Sequence, residues 1–274
     1  MRRIRWVLLA FNLALIAAAA QLASAQQSQA QFEVIRSGQF PERVIRSVTD
    51  ATAASLRYLA AIEISLQGTF RIVLYDSADS FKNALVERGL RGPWWPIGQP
   101  FPGSFHLDMT RMRETDIPWF VSHELFHVAQ FQLLGITGET HVNHPRNRAL
   151  SPFMMEGTAE VFKLKTLEQM GITRYSAEAR RLIGVARTIQ TDCRTDPTVS
   201  YTRWYDLINR CGSRPIYDQA VVMFAYLFDN HGGWPKVIQY LSVDNPPDAN
   251  ARFATAYGMT LEAFAGEFSA FLGR

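Results

Sequence analysis

Residues 119–135 read "WFVSHELFHVAQFQLLG". Pro118 just before them suits the first turn of a helix, and Gly135 suits the position after its end. The spacing therefore predicts a helix from about residues 116–118 to 134. His123 and His127 are four residues apart, so on a helix they share a face and both imidazoles can reach one ion. Glu124 follows the first histidine. Beside a zinc ion it can accept a proton from a water that the metal has made acidic. The plainer alternative is a buried helix with two hydrogen-bonded histidines. A third ligand and a suitable compartment decide between them.

A catalytic zinc keeps three protein ligands and one open position. Residues 152–162, "PFMMEGTAEVF", begin a second predicted helix that runs to about Met170. Glu156 and Glu160 are again four apart and face one way. Met154, Met155, Val161 and Phe162 beside them argue for burial, and two carboxylates on a buried helix call for a cation or a hydrogen-bond partner. The alternative is a solvated acidic stripe. His141 and His144, in the polar segment 136–151, are rival ligands. His106 reads as a strand histidine, and His231 before Gly232 and Gly233 reads as a helix end.

The pair "HELFH … MEGTAE" resembles the gluzincin metallopeptidases, the group of thermolysin and the membrane alanyl aminopeptidases. The resemblance is closest over Phe120–Gln130 and Pro152–Phe162, and extends loosely through the preceding strand and the helix starting near Tyr217. It implies Zn2+ held by His123, His127 and Glu156, with Glu124 as general base. It implies that Glu160 accepts a hydrogen bond from a ligand histidine, His123. It also implies that Tyr217, in "RPIYDQAVVMFAYLFDNHGG", offers its hydroxyl to the transition-state oxygen; Tyr201, Tyr205 and Tyr226 are rivals for that role. The interval from His127 to Glu156 is longer than in the aminopeptidases. Their Gly-x-Met-Glu-Asn strand is absent, its nearest counterpart being "GSFHLDM" with Asp108. A metzincin would carry a third histidine where Leu133 stands. The reaction expected is peptide-bond hydrolysis on a peptide or protein substrate. The same water chemistry would serve an amidase or esterase, and the alternative class is a non-catalytic, zinc-stabilised binding or assembly module of the cell envelope.

The first 25 residues give the compartment. "MRRIRWVLLAFNLALIAAAAQLASA" has a basic start, an apolar run from Trp6 to Ala20 and Ala23-Ser24-Ala25 at the end, the pattern of a signal peptide cleaved after Ala25. The run is short for a membrane span, and no later segment is long enough. A secreted or periplasmic location is expected. The chain's 28 basic and 25 acidic residues give +3. Arg2, Arg3 and Arg5 account for that excess, so the mature chain is formally neutral and gives no footprint for nucleic acid. Cys193 and Cys211 are its two cysteines, and in an exported chain such a pair reads as a disulfide.

At 274 residues, 47% hydrophobic and without repeats, the chain reads as one globular domain, 26–274. Residues 40–66 carry an amphipathic helix with Val44, Val48, Leu56, Leu59 and Ile62 on one face. "TFRIVLYD" (69–76) is a strand, and residues 77–89 a helix capped by Asp79 or Ser80. "RGPWWPIGQPFPG" (91–103) reads as a loop whose Trp94 and Trp95 plug the core or wall the substrate. "SFHLDM" (104–109) is a short strand whose edge is expected to take an extended peptide. Further helices are expected over 175–190, 216–230, 235–242 and 260–272. With no alternating βαβ units visible, the fold class is α+β. A small strand-bearing half (about 26–135) holds the active-site helix and leads into a mainly helical half (about 150–274), a minimal thermolysin-like arrangement.

Overall fold

The computed structural model describes residues 30–90, 96–137 and 149–273. The signal sequence, Trp94, Trp95, His141 and His144 lie outside the described residues. The fold is α+β: a small four-stranded sheet in the N-terminal half leads into a mainly helical C-terminal half. Among the described residues no helix is long and apolar enough to cross a membrane.

Four strands and three helices make the first half: β1 (Gln31–Ser37), α1 (Glu42–Ala61), β2 (Thr69–Tyr75), α2 (Ala78–Glu87), β3 (Gly98–Phe101), β4 (Ser104–Asp108) and α3 (Ile117–Leu133). The sheet order is β1-β2-β4-β3; β1, β2 and β4 run parallel, and β3 pairs antiparallel to β4. Phe70, Ile72 and Leu74 turn one face of β2 into the main core with α1 and α3, while Val73 and Tyr75 meet Phe81 and Leu85 of α2 on the other. Period-two alternation along β2 thus places a helix layer on each side of the sheet.

Four expectations fail here. Parallel strands joined through helices are present, because residues 31–37 form β1, which the sequence reading did not identify as a strand. Its exposed positions (Gln31, Glu33, Ile35) alternate with only two half-buried apolar residues, Phe32 and Val34, a weak signal. Residues 98–101 are a strand and not part of a loop. Pro100 fits there because β3 is an edge strand, where a missing N–H breaks no ladder bond. Consequently "SFHLDM" is interior, with β2 on one side and β3 on the other, and has no free edge. The cap of α2 is also one turn earlier than expected: Ser77 accepts from the Ser80 N–H.

Seven helices form the second half: α4 (Pro152–Gln169), α5 (Tyr175–Thr188), α6 (Tyr201–Cys211), α7 (Ser213–Asn230), α8 (Gly233–Ser242), α9 (Ala249–Tyr257) and α10 (Leu261–Leu272). Of these, α6 and α9 were not expected. Both are short, and α6 sits inside the span between the cysteines, which reads as loop from sequence. Cys193 and Cys211 are bonded at 2.04 Å, which ties the end of α6 to the turn before it. α4 packs between α3 and α7. Gly157 makes that fit possible: a Cβ there would lie 2.6 Å from Phe224 Cβ and 2.8 Å from the Ala220 carbonyl oxygen. The glycine beside Glu156 therefore brings α7, and Tyr217 on its first turns, close to the histidine helix.

Candidate metal centre

α3 is buried nearly all round, so its ionisable side chains have no solvent to turn to. His123 is 9% exposed, Glu124 5% and His127 3%. α4 crosses this face and presents Glu156 and Glu160. His123 Nε2 and His127 Nε2 are 3.0 Å apart, and Glu156 Oε2 lies 3.4 Å from the first and 3.5 Å from the second. The two remaining ring nitrogens are held from behind. His123 Nδ1 lies 2.9 Å from Glu160 Oε1. His127 Nδ1 is within hydrogen-bonding distance of Gln130 Oε1.

Gln130 was not among the expected site residues. It is fully buried, and its amide nitrogen donates to the Met155 carbonyl at 2.9 Å and to Thr158 Oγ1. That use of the NH2 group fixes the amide's orientation, so its oxygen faces His127 and can only accept. His127 must then carry its proton on Nδ1. Glu160, an acceptor when ionised, asks the same of His123. Both Nε2 lone pairs consequently point at each other and at a carboxylate oxygen. Three electron-rich atoms in one buried triangle require a proton or a cation between them.

The triangle fits a tetrahedral zinc. Bonds of about 2.0–2.1 Å place tetrahedral ligand atoms roughly 3.3 Å apart, against the 3.0, 3.4 and 3.5 Å found. Two imidazoles and one carboxylate are also a donor set zinc accepts in catalytic sites. Without an ion, charge settles on the ligands. Burial disfavours the His123 imidazolium, but the hydrogen bonds of Glu156 and Glu160 outweigh it and push its pKa up to about 10. Burial raises Glu156, yet His127 and His123 hold it well below the usual carboxylate range. Glu160 is likewise desolvated, and Lys163 with His123 brings it down to about 2. Lys163 Nζ pairs with Glu160 Oε2 and lies over the Trp119 ring at 5.6 Å.

Glu124 differs from the other two carboxylates. Burial raises its pKa, with only partial relief from His123 and His127, and its Oε2 is buried without a hydrogen-bond partner among the described residues. Its carboxylate fits because Gly98 of β3 has no side chain: a Cβ on Gly98 would lie 2.3 Å from Glu124 Oε1 and 2.7 Å from its carboxyl carbon. Cross-strand pairing of Gly98 with Leu107 turns this position toward α3. Sequence reasoning missed Gly98 because the segment read as loop.

Tyr217 stands beside the ligands, its ring 6.5 Å from that of His123. Burial raises its pKa well above 10, and Glu156 adds to the rise, so the phenol stays a hydrogen-bond donor. Two of its rivals come to the same place. Tyr201 and Tyr205, one turn apart on α6, also feel the charge of Glu156, and Tyr205 is 53% exposed. None of the three hydroxyls has a hydrogen-bond partner among the described residues. Tyr226 is elsewhere, donating to Glu267 at 2.8 Å. His231 also meets Glu267, at 2.9 Å, and ends α7 as expected. His106 remains a strand histidine, 2.9 Å from the Tyr75 hydroxyl. Asp108 caps the turn after β4 by accepting from the Thr110 N–H.

No known family model matches this chain, and no curated protein matches it.

Proposed function

We propose that this chain is an exported zinc-dependent peptidase of gluzincin type, with His123, His127 and Glu156 as metal ligands. The observation that carries the reading is the triangle of converging lone pairs, sized for zinc, with the Gln130 oxygen bonded behind His127 and the Glu160 carboxylate 2.9 Å behind His123. When bound, the ion would supply Lewis acidity, lowering the pKa of a coordinated water and polarising a substrate carbonyl. The chain's own residues supply the rest. Glu124 is a desolvated carboxylate with an unused oxygen, suited to take a proton from the attacking water and return it to the leaving nitrogen. Tyr217 keeps its phenolic proton and can donate to an oxygen that becomes negative in the transition state. Glu160 and Gln130 hold the histidines in the tautomer that leaves Nε2 free.

The basic, apolar, Ala-x-Ala leader and the Cys193–Cys211 bond support secretion or a periplasmic location. The test is zinc content and peptide-library cleavage for wild type and Glu124→Gln. Stoichiometric zinc in both, with cleavage lost only in the variant, is the expected result. Full activity in Glu124→Gln would remove Glu124 as the base. Stoichiometric zinc without cleavage of any peptide would favour the non-catalytic envelope module.

A further inference from the structure

The strand beside Glu124 is poorly equipped to bind another strand. β3 is the sheet edge on this side, and its inner groups are taken by β4. The Asp108 N–H donates to the Ile97 carbonyl at 2.8 Å, which makes Ile97 an inward-bonding residue. Alternation in an antiparallel ladder gives Gln99 and Phe101 the same role. The outward positions are therefore Pro96, Gly98 and Pro100. Proline has no N–H, so among the described residues this edge holds one outward donor, at Gly98. Gly98 is itself buried, against the Glu124 carboxylate. The Pro100 carbonyl is already used by the Gln99 side-chain amide at 3.2 Å. A polypeptide that joins a sheet needs a donor and an acceptor at every second residue, and β3 supplies that pair only at Gly98.

We infer that the site takes short peptides, held through a single backbone register at Gly98, and does not bind an extended protein segment by strand addition. The inference rests on the zinc-site reading above. Pro96 and Pro100 are then specificity residues: they stop the ladder on either side of the residue nearest the base.

The test uses zinc-loaded full-length protein and a series of alanine peptide hydroxamates with one, three and five residues, whose affinities are measured by calorimetry. On an open edge each two-residue step would add two hydrogen bonds, about tenfold or more in affinity. The expected series here is flat, within about threefold per step. Pro100→Ala and Pro96→Ala each restore an outward N–H, and each should make the series steeper by about fivefold in the step it serves. A wild-type series that climbs tenfold per step would overturn the inference and leave the zinc reading intact. So would a series that stays flat in both folded variants. A protein that takes up no zinc and binds no hydroxamate would overturn the zinc reading and the inference with it.

Discussion

Gln130→Leu tests the site without any knowledge of the substrate. Leucine fills similar space and removes every polar atom of the amide. Three contacts go: the acceptor for His127 Nδ1, the 2.9 Å bond to the Met155 carbonyl and the contact with Thr158 Oγ1. All are buried, so each abandoned partner loses a bond without gaining water. At about 1 kcal/mol net for a typical bond, and more for a polar group left unsatisfied, the variant should lose about 2–4 kcal/mol of apo stability. Zinc affinity should fall about 10–100-fold, as when the hydrogen-bond partner of a ligand histidine is removed. Competition with a chromophoric chelator measures the affinity, and urea unfolding of the apo form measures the stability. Gln130→Glu separates the two roles. It keeps an acceptor for His127 but sets a carboxylate against the Met155 carbonyl, so stability should fall while zinc affinity stays nearer wild type. Long-range 1H–15N correlation on the wild-type apo protein should find the His127 proton on Nδ1. A proton on Nε2, or unchanged zinc affinity in Gln130→Leu, would refute the tautomer argument.

Three further outcomes follow from the same geometry. Gly98→Ala should cost little stability, because the colliding group is the flexible end of Glu124, yet turnover should drop about 100-fold as that carboxylate is pushed aside; intact zinc with unchanged kcat would refute the contact's importance. Tyr217→Phe should keep fold and zinc and lower kcat about 100-fold with little change in KM, whereas unchanged kcat would reduce Tyr217 to a packing residue. Zinc binding near neutral pH should release at least one proton, because apo His123 is protonated up to about pH 10 and a ligand imidazole must be neutral. Affinity should accordingly rise about tenfold per pH unit between 7 and 9, and calorimetry in buffers of different ionisation enthalpy would count the proton.

The sequence by itself was enough for most of what depends on local periodicity, although the short helices α6 and α9 escaped it. The four-residue spacing of His123 with His127 and of Glu156 with Glu160 puts each pair on one helix face, and the α-helical period is the same in any fold. The strand at 69–75 and the long helices were readable because each carries its own apolar pattern, and the disulfide followed from having two cysteines. What the sequence could not determine were relations between distant segments. Whether a strand lies at an edge depends on its neighbours, so β4 became interior once residues 98–101 paired with it, and residues 31–37 became the first parallel strand. Gly98 acquired a role only when the sheet brought it against Glu124. Gln130 looked like any polar residue until α4 supplied the Met155 carbonyl and Thr158 that fix its amide. The sorting of the four tyrosines was also tertiary: Gly157 lets α7 approach, which puts Tyr217 next to His123, and α6 brings Tyr201 and Tyr205 near Glu156, whereas Tyr226, nine residues beyond Tyr217 on the same helix, meets Glu267. A side chain's type and local face are written in the chain, but its partners are set by packing.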